Sequence, residues 1–305
     1  MTALQLDRVS KSFGDFKAVD DLSFAVAPGE VFGFLGGNGA GKTTSLRMIL
    51  DILRPDAGSI SVLGEPPGRG NSALLGFLPE ERGLYRSMTA IETIVYFGRL
   101  KKMAAADARR AGMALLDRFG LAAFAKASVD KLSKGMAQKV QLAAAIVNKP
   151  KLLILDEPFS GLDPLNQGLL EEEILRAAKS GAAVVFSTHV MQHAERLCDR
   201  LLFLAHGRKL FEGDQDQARA TVPQHLTLIA QQSPAGLAVV TDAIQTGAHD
   251  DGWFAWEARL APGFSSADLL QHYTANGFAL RGFEHHRPGM HDVFVHIVGS
   301  AEGLS

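Results

Sequence analysis

The chain has 305 residues, 47% hydrophobic and 21% charged, which is enough for one large domain or two smaller ones with an ordinary buried core. Its formal net charge of −2 leaves no basic excess, which argues against nucleic acid as a partner. The single cysteine, Cys198, excludes an intramolecular disulfide and fits a reducing compartment.

The N-terminal run Met1-Thr2-Ala3-Leu4-Gln5-Leu6-Asp7 has neither the charged leader nor the apolar core of a secretory signal, so none is expected. No run of about 18 apolar residues occurs, so no membrane-spanning helix is predicted. Residues 3–8 and 22–26 read as two short strands around the loop Ser12-Phe13-Gly14-Asp15-Phe16, and Ala27-Pro28-Gly29-Glu30 reads as a turn. Val31–Leu35 is an apolar run suited to a buried strand. Next comes Gly36-Gly37-Asn38-Gly39-Ala40-Gly41-Lys42-Thr43-Thr44, then apolar residues at helical spacing over 45–53.

Residues 36–43 satisfy G-x-x-x-x-G-K-[ST] in the strand–loop–helix context that the motif requires. The glycines let several backbone N–H groups turn inward around a phosphate chain, and the helix that opens there adds its positive end. Lys42 would reach the β- and γ-phosphates, and the Thr43 hydroxyl would bind Mg²⁺.

Further along, 60–63 reads as a strand and 64–72 as a Gly- and Pro-rich loop. Helical patterns run over 91–100, 104–119 and 136–147, and strand patterns return at 151–155, 183–187 and 201–204. Strands alternating with helices predict a parallel sheet covered on both faces, interrupted by a helical insertion at 89–147. The strand at 151–155 runs into Asp156 and Glu157. Ligands gather at the C-terminal ends of such strands, so Asp156 is the candidate Mg²⁺ ligand and Glu157 the candidate general base. Ser133 is a plausible helix cap, and the Ser133-Lys134-Gly135 turn could be that alone or a second phosphate site. His189 ends a strand, where a surface or capping role is the bland alternative. Phe13 could be ordinary core or stack on a purine.

Taken in order, Phe13, Gly36–Thr44, Leu132–Met136, Leu155–Glu157, Ser160-Gly161-Leu162-Asp163 and Thr188-His189 resemble the ATP-binding cassette ATPases over about residues 2–215. The resemblance implies an α/β P-loop NTPase fold and a head-to-tail homodimer holding two ATP molecules. Each phosphate loop, Gly36 through Thr44, would face Ser133 and Gly135 of the other subunit. It implies that Phe13 stacks on adenine, His189 contacts the γ-phosphate and Asp163 communicates across the dimer. The chain departs from the family pattern at three places. Gly37 replaces a usual Pro. Lys134 and Met136 replace Gly and Gln in the Leu-Ser-Gly-Gly-Gln signature. Glu80, in Gly76-Phe77-Leu78-Pro79-Glu80-Glu81-Arg82-Gly83, stands where a Gln usually contacts Mg²⁺ and water. A carboxylate there would bind Mg²⁺ more strongly but repel the γ-phosphate.

The Glu80 segment, the signature and the tail Asp292–Gly299 are similar to the cassettes of ABC-2 type exporters, including sodium-extrusion and some drug-export ATPases. This implies an ATPase working with Mg²⁺ and docked on a separate membrane permease at the inner face of the cell membrane. The helical insertion and the Glu80 loop would form the docking surface. A soluble cassette ATPase outside transport, and a nucleotide-gated module with little hydrolysis, are the competing readings. Beyond about residue 215 motifs cease. Trp253–Trp256 reads as a strand, Ser265 and Asp268 as a capping box for a helix ending at Gly277, and 222–299 as small α+β structure. The expected division is therefore a cassette over 1–221 and an accessory domain over 222–305. His272, His285, His286, His291 and His296 lack acidic or thiol partners at ligand spacing, so no metal is expected there.

Overall fold

The computed structural model describes residues 2–302 apart from 69, 82 and 224. Arg82 of the Glu80 segment, and tail residues 224 and 303–305, lie outside the described residues. The chain divides into two compact units, Met1–Gln215 and Asp216–Ser305.

In the first unit β1 (Leu4–Phe13) and β2 (Phe16–Val26) form a hairpin. Phe13 pairs with Phe16 across a two-residue turn, where Gly14 adopts φ 59°. The segment expected to be a loop is therefore a tight turn between longer strands. There follow β3 (Val31–Leu35), α1 (Lys42–Ile49), β4 (Ala57–Val62) and β5 (Leu75–Leu78). The helical insertion supplies α2 (Ala90–Leu100), α3 (Ala105–Arg118) and α4 (Lys134–Ile146). A Thr89–Glu92 capping box starts α2. The unit continues through β6 (Leu152–Asp156), α5 (Pro164–Lys179), β7 (Ala183–Thr188), α6 (Met191–Leu197), β8 (Arg200–Ala205) and β9 (Arg208–Gly213).

Two sheets result. One has the order β5-β6-β7-β3-β8-β9, parallel except for the antiparallel edge pair β8–β9. Its central strands β3, β6 and β7 are buried along their whole length, so they read as continuous apolar runs rather than alternating ones. The other is antiparallel, with the order β2-β1-β4. Sequence periodicity did not separate these strands from the parallel sheet. A buried core joins the two sheets and α1: Leu6, Leu22 and Phe24 pack with Phe34, Leu46 and Ile154. The Phe24 and Phe32 rings stack at 5.3 Å.

The second unit contains α7 (Gln215–Arg219, which begins at the last residue of the first unit), β10 (His225–Ala230), β11 (Val240–Ala248), β12 (Phe254–Leu260), α8 (Ser266–Ala275), β13 (Leu280–His286) and α9 (Met290–Glu302). The sheet order is β11-β12-β10-β13, antiparallel throughout. Leu226, Leu228, Ala258 and Leu260 of the sheet pack with Leu269 and Tyr273 of α8 as a separate core. Burial pushes the Tyr273 phenol up to about 12, and its hydroxyl donates to the Gln232 carbonyl at 2.9 Å.

Candidate active site

Parallel register brings three strand ends to one edge of the sheet. Leu35 of β3 pairs with Thr188 of β7, and Asp156 of β6 pairs with Ser187 of β7. The phosphate loop, the two acidic residues and His189 therefore leave the sheet together, at the edge where such folds bind ligands.

Gly41 caps α1 in a left-handed conformation, φ 106°, and a Cβ there would also collide with the Ala18 carbonyl. Gly36 needs no special φ; a Cβ there would collide with the Leu204 carbonyl, so close backbone approach selects glycine. Gly37, Asn38 and Gly39 form an exposed tip, and a Cβ on Gly37 would meet nothing within 4 Å. A side chain beginning at Gly37 would therefore enter open space. Ala40 is buried, and Thr43 and Thr44 lie half-buried on the first turn of α1.

Lys42, 7% exposed, donates through Nζ to the carbonyls of Gly36 at 2.7 Å and Gly37 at 3.1 Å. Its ammonium is 3.7 Å from Glu157 Oε1. Glu157 is 9% exposed, and its Oε1 lies 3.0 Å from His189 Nδ1. Its backbone is left-handed, φ 45°, a conformation costing a non-glycine residue about 1 kcal/mol or more unless its surroundings hold it. Asp156, 4% exposed, accepts a hydrogen bond from Ser187 Oγ at 2.5 Å on one oxygen and from Thr43 Oγ1 at 3.3 Å on the other. Ser187 Oγ also accepts from the Glu157 N–H at 3.1 Å, so one buried hydroxyl ties both acidic residues.

Thr43 Oγ1 and Asp156 Oδ2 are neighbouring oxygen donors beside the phosphate loop. One carboxylate and one hydroxyl suit a hard divalent cation such as Mg²⁺, which keeps several waters of its own.

Lys42, Glu157 and His189 are thus joined directly, as are Thr43 and Asp156, and Ser187 links the two groups. The other expected site residues stand on separate segments. Phe13, half-exposed at the end of β1, has the Lys11 ammonium 5.8 Å from its ring centroid. Ser133 caps α4, accepting from the Met136 N–H at 3.3 Å. Gly135 faces Asn166, whose Nδ2 would be 2.9 Å from a Cβ there. Glu80 is exposed on the bend after β5. Asp163 caps α5, and its bonds from Asn166 hold its carboxyl below the usual range.

Sequence reasoning missed three polar residues that order the site. Ser187 is one. Gln138 and Gln141 of α4 are the others. Gln138 donates to the Pro158 carbonyl at 2.7 Å, and Gln141 to the carbonyls of Pro79 and Glu81 at 3.4 and 3.3 Å. One helix therefore grips the segments on both sides of Glu80 and just beyond Glu157. The available signal was a pair of glutamines three residues apart, on one face of the helix.

The family model of the ABC transporter matches residues 19–160, from β2 through the segment carrying Glu157. The uncharacterized ABC transporter ATP-binding protein YhaQ of Bacillus subtilis (strain 168) is 39% identical over 298 residues, 97% of this chain and 99% of that protein. The chain belongs to the ATP-binding proteins of ABC transporters. Nod factor export ATP-binding protein I of Paraburkholderia xenovorans (strain LB400) is 46% identical over 214 residues, 69% of this chain and 70% of its own. A solved structure described as the ATP binding subunit of an ABC transporter superposes with a TM-score of 0.67 at 32% identity, covering 72% of this chain and 93% of that one. This ABC transporter ATP-binding protein is an ATPase of the P-loop α/β fold, and its family implies a membrane permease as partner. Among the described residues no helix is long and apolar enough to cross a membrane.

Proposed function

We propose that this ABC transporter ATP-binding protein drives an exporter, hydrolysing ATP with Mg²⁺ at the interface of a head-to-tail homodimer. The homodimer would dock on a permease at the inner face of the cell membrane. The observation that carries the hydrolytic reading is Glu157, held at a buried strand end between His189 Nδ1 and the Lys42 ammonium. The similarity to Nod factor export ATP-binding protein I supports the direction of transport.

In this reading Lys42 exchanges its own loop carbonyls for the β- and γ-phosphates, and the N–H groups of the loop add to the cradle. Glu157 accepts the proton of the attacking water. His189 orients that carboxylate and contacts the γ-phosphate. Thr43 and Asp156 would hold Mg²⁺, with Glu80 near it, and the cation supplies charge neutralisation on the phosphates. Phe13 stacks on the adenine, and Ser133 and Gly135 of the second subunit close over the phosphates.

The test is phosphate release by the purified chain with ATP and Mg²⁺, alone and as Glu157→Gln. The amide keeps size and hydrogen bonding but cannot take a proton, so hydrolysis should stop while ATP stays bound. Gel filtration with ATP and Mg²⁺ should then show more dimer than wild type. A monomeric variant with normal turnover contradicts the reading.

A further inference from the structure

Two histidines four residues apart address the segment that carries Glu157. His189 reaches the carboxylate itself. His193, inside α6, instead meets Phe159, two residues beyond Glu157. The two rings stack face to face, with centroids 3.9 Å apart and planes 11° apart. Both side chains are buried, and Phe159 also meets Phe186 of β7 edge-on at 5.9 Å.

Glu171 and Arg196 lie behind the imidazole. His193 Nδ1 lies 3.5 Å from Glu171 Oε1 on α5, and Arg196 Nη2 lies 3.1 Å from the same oxygen and 3.4 Å from His193 Nδ1. Burial lowers the imidazole below its ordinary value, more than Glu171 raises it. Burial thus favours the uncharged ring, and its face-to-face stacking on Phe159 makes it a flat packing surface.

The turn it backs is short and strained. Glu157 is left-handed, the Ser160 N–H closes back on the Glu157 carbonyl at 3.1 Å, and Gln138 holds the Pro158 carbonyl. Phe159 is the apolar side chain that anchors this turn to the core, and His193 covers its ring. Without that cover the backbone can relax out of its costly conformation and carry the carboxylate off its productive position.

We infer that His193 is a positioning residue for ATP hydrolysis, fixing the Glu157–Phe159 turn by stacking on Phe159. This rests on Glu157 being the general base. It predicts a loss confined to the chemical step, because His193 makes no hydrogen bond or ion pair with the phosphate loop among the described residues. A misplaced reacting group costs roughly tenfold to a hundredfold in rate.

The experiment compares His193→Ala, His193→Leu, His193→Phe and Glu157→Gln with wild type, measuring kcat, KM for ATP and melting temperature. His193→Ala and His193→Leu should lower kcat about tenfold or more, with KM for ATP within about twofold. His193→Phe restores a flat ring and should return kcat to within about threefold of wild type. Should His193→Ala fail to fold, the leucine and phenylalanine variants decide alone. Wild-type kcat in a folded alanine or leucine variant overturns the inference. So does a phenylalanine variant as slow as the leucine one at equal melting temperature. Normal turnover in Glu157→Gln would instead sink the assignment of the base. An inactive Glu157→Gln beside a normal His193→Leu would sink the positioning role alone.

Discussion

The Lys42 ammonium is buried, bonded to two carbonyls of its own loop, and 3.7 Å from Glu157. A phosphate chain offers it stronger, charge-assisted partners, each worth about 1.5–3 kcal/mol. Lys42→Ala should therefore weaken ATP binding by roughly a hundredfold, about 3 kcal/mol, and abolish turnover. Calorimetric titration with ATP checks this, and an unchanged Kd would remove Lys42 from the phosphate site. Glu80 calls for a milder expectation. It is exposed, and the carbonyls on either side of it are held by Gln141. In its proposed place beside Mg²⁺, Glu80→Gln would relieve repulsion of the γ-phosphate and weaken metal coordination, two terms of opposite sign at an effective dielectric of about 20. The net change in kcat should stay within about tenfold, or about 1.4 kcal/mol. A thousandfold loss would show an essential chemical role for Glu80. Lys42, Thr43, Asp156 and Glu157 could be singled out as candidates because spacing along one segment marks them, Gly36 to Thr43 and Asp156 beside Glu157, whereas His189 was marked only by the family resemblance. Ser187 and His193 were not readable. Ser187 acts on Asp156 from 31 positions away, and His193 acts on a ring on another element.

Among the elements, the helical insertion was legible because its apolar spacing is strong. Helices expected over 91–100, 104–119 and 136–147 begin and end within two residues of α2, α3 and α4. Strand β5 escaped notice because it has four residues including Gly76, whose Cβ would come within 2.5 Å of the Ala145 carbonyl; a strand that needs glycine reads as a loop. Helix α9 was hidden by its β-branched residues Val293, Val295, Ile297 and Val298, which carry no helix preference. Packing between elements makes its own prediction at Glu173. This α5 residue is 5% exposed and lies 3.3 Å from Arg118 of α3 and 3.2 Å from Arg176. Burial nonetheless raises its carboxyl above the usual range, outweighing both guanidiniums. A raised folded value means that the native state binds the proton more tightly. The group's stability contribution is full below the unfolded value and is lost as pH rises through the folded one. Glu173→Gln imitates the protonated form. It should raise the melting temperature at pH 8 by about 2–4 °C, equivalent to about 1 kcal/mol, and leave it little changed below the unfolded carboxyl value, at about pH 4. A variant that melts lower at pH 8 than wild type would show that the two ion pairs outweigh the burial cost.

At the scale of the whole chain, the proposed division is a cassette over 1–221 and an accessory domain over 222–305. The residues that build the active site all precede Gln215, and so do those that back it, from Gln138 and Gln141 to Ser187 and His193. Gln215 itself closes the first unit, its side chain donating to the carbonyls of Glu195 and Cys198 at 3.0 and 3.1 Å. The second unit buries its own apolar residues around Leu228, Leu269 and Tyr273. A chain ending at residue 221 should therefore melt cooperatively and bind ATP within about threefold of the full-length affinity, since domains with their own core fold alone. Its last helix, α7, will fray. Asp216 and Arg219 lose Arg287, 2.6 Å away, and the Pro288 carbonyl, 3.1 Å away, and five residues cannot hold a helix without such partners. Circular dichroism on heating and ATP titration of the shortened chain make the comparison. If it is unfolded, or folded with affinity reduced more than about tenfold, the cassette depends on residues beyond 221 and the division is wrong. Dimerisation is a separate measurement. Aromatic residues beyond 222, such as Trp253 and Trp256, could add interface area, so a truncated chain that binds ATP normally but dimerises less would assign the tail to assembly and leave the ATP site to the cassette.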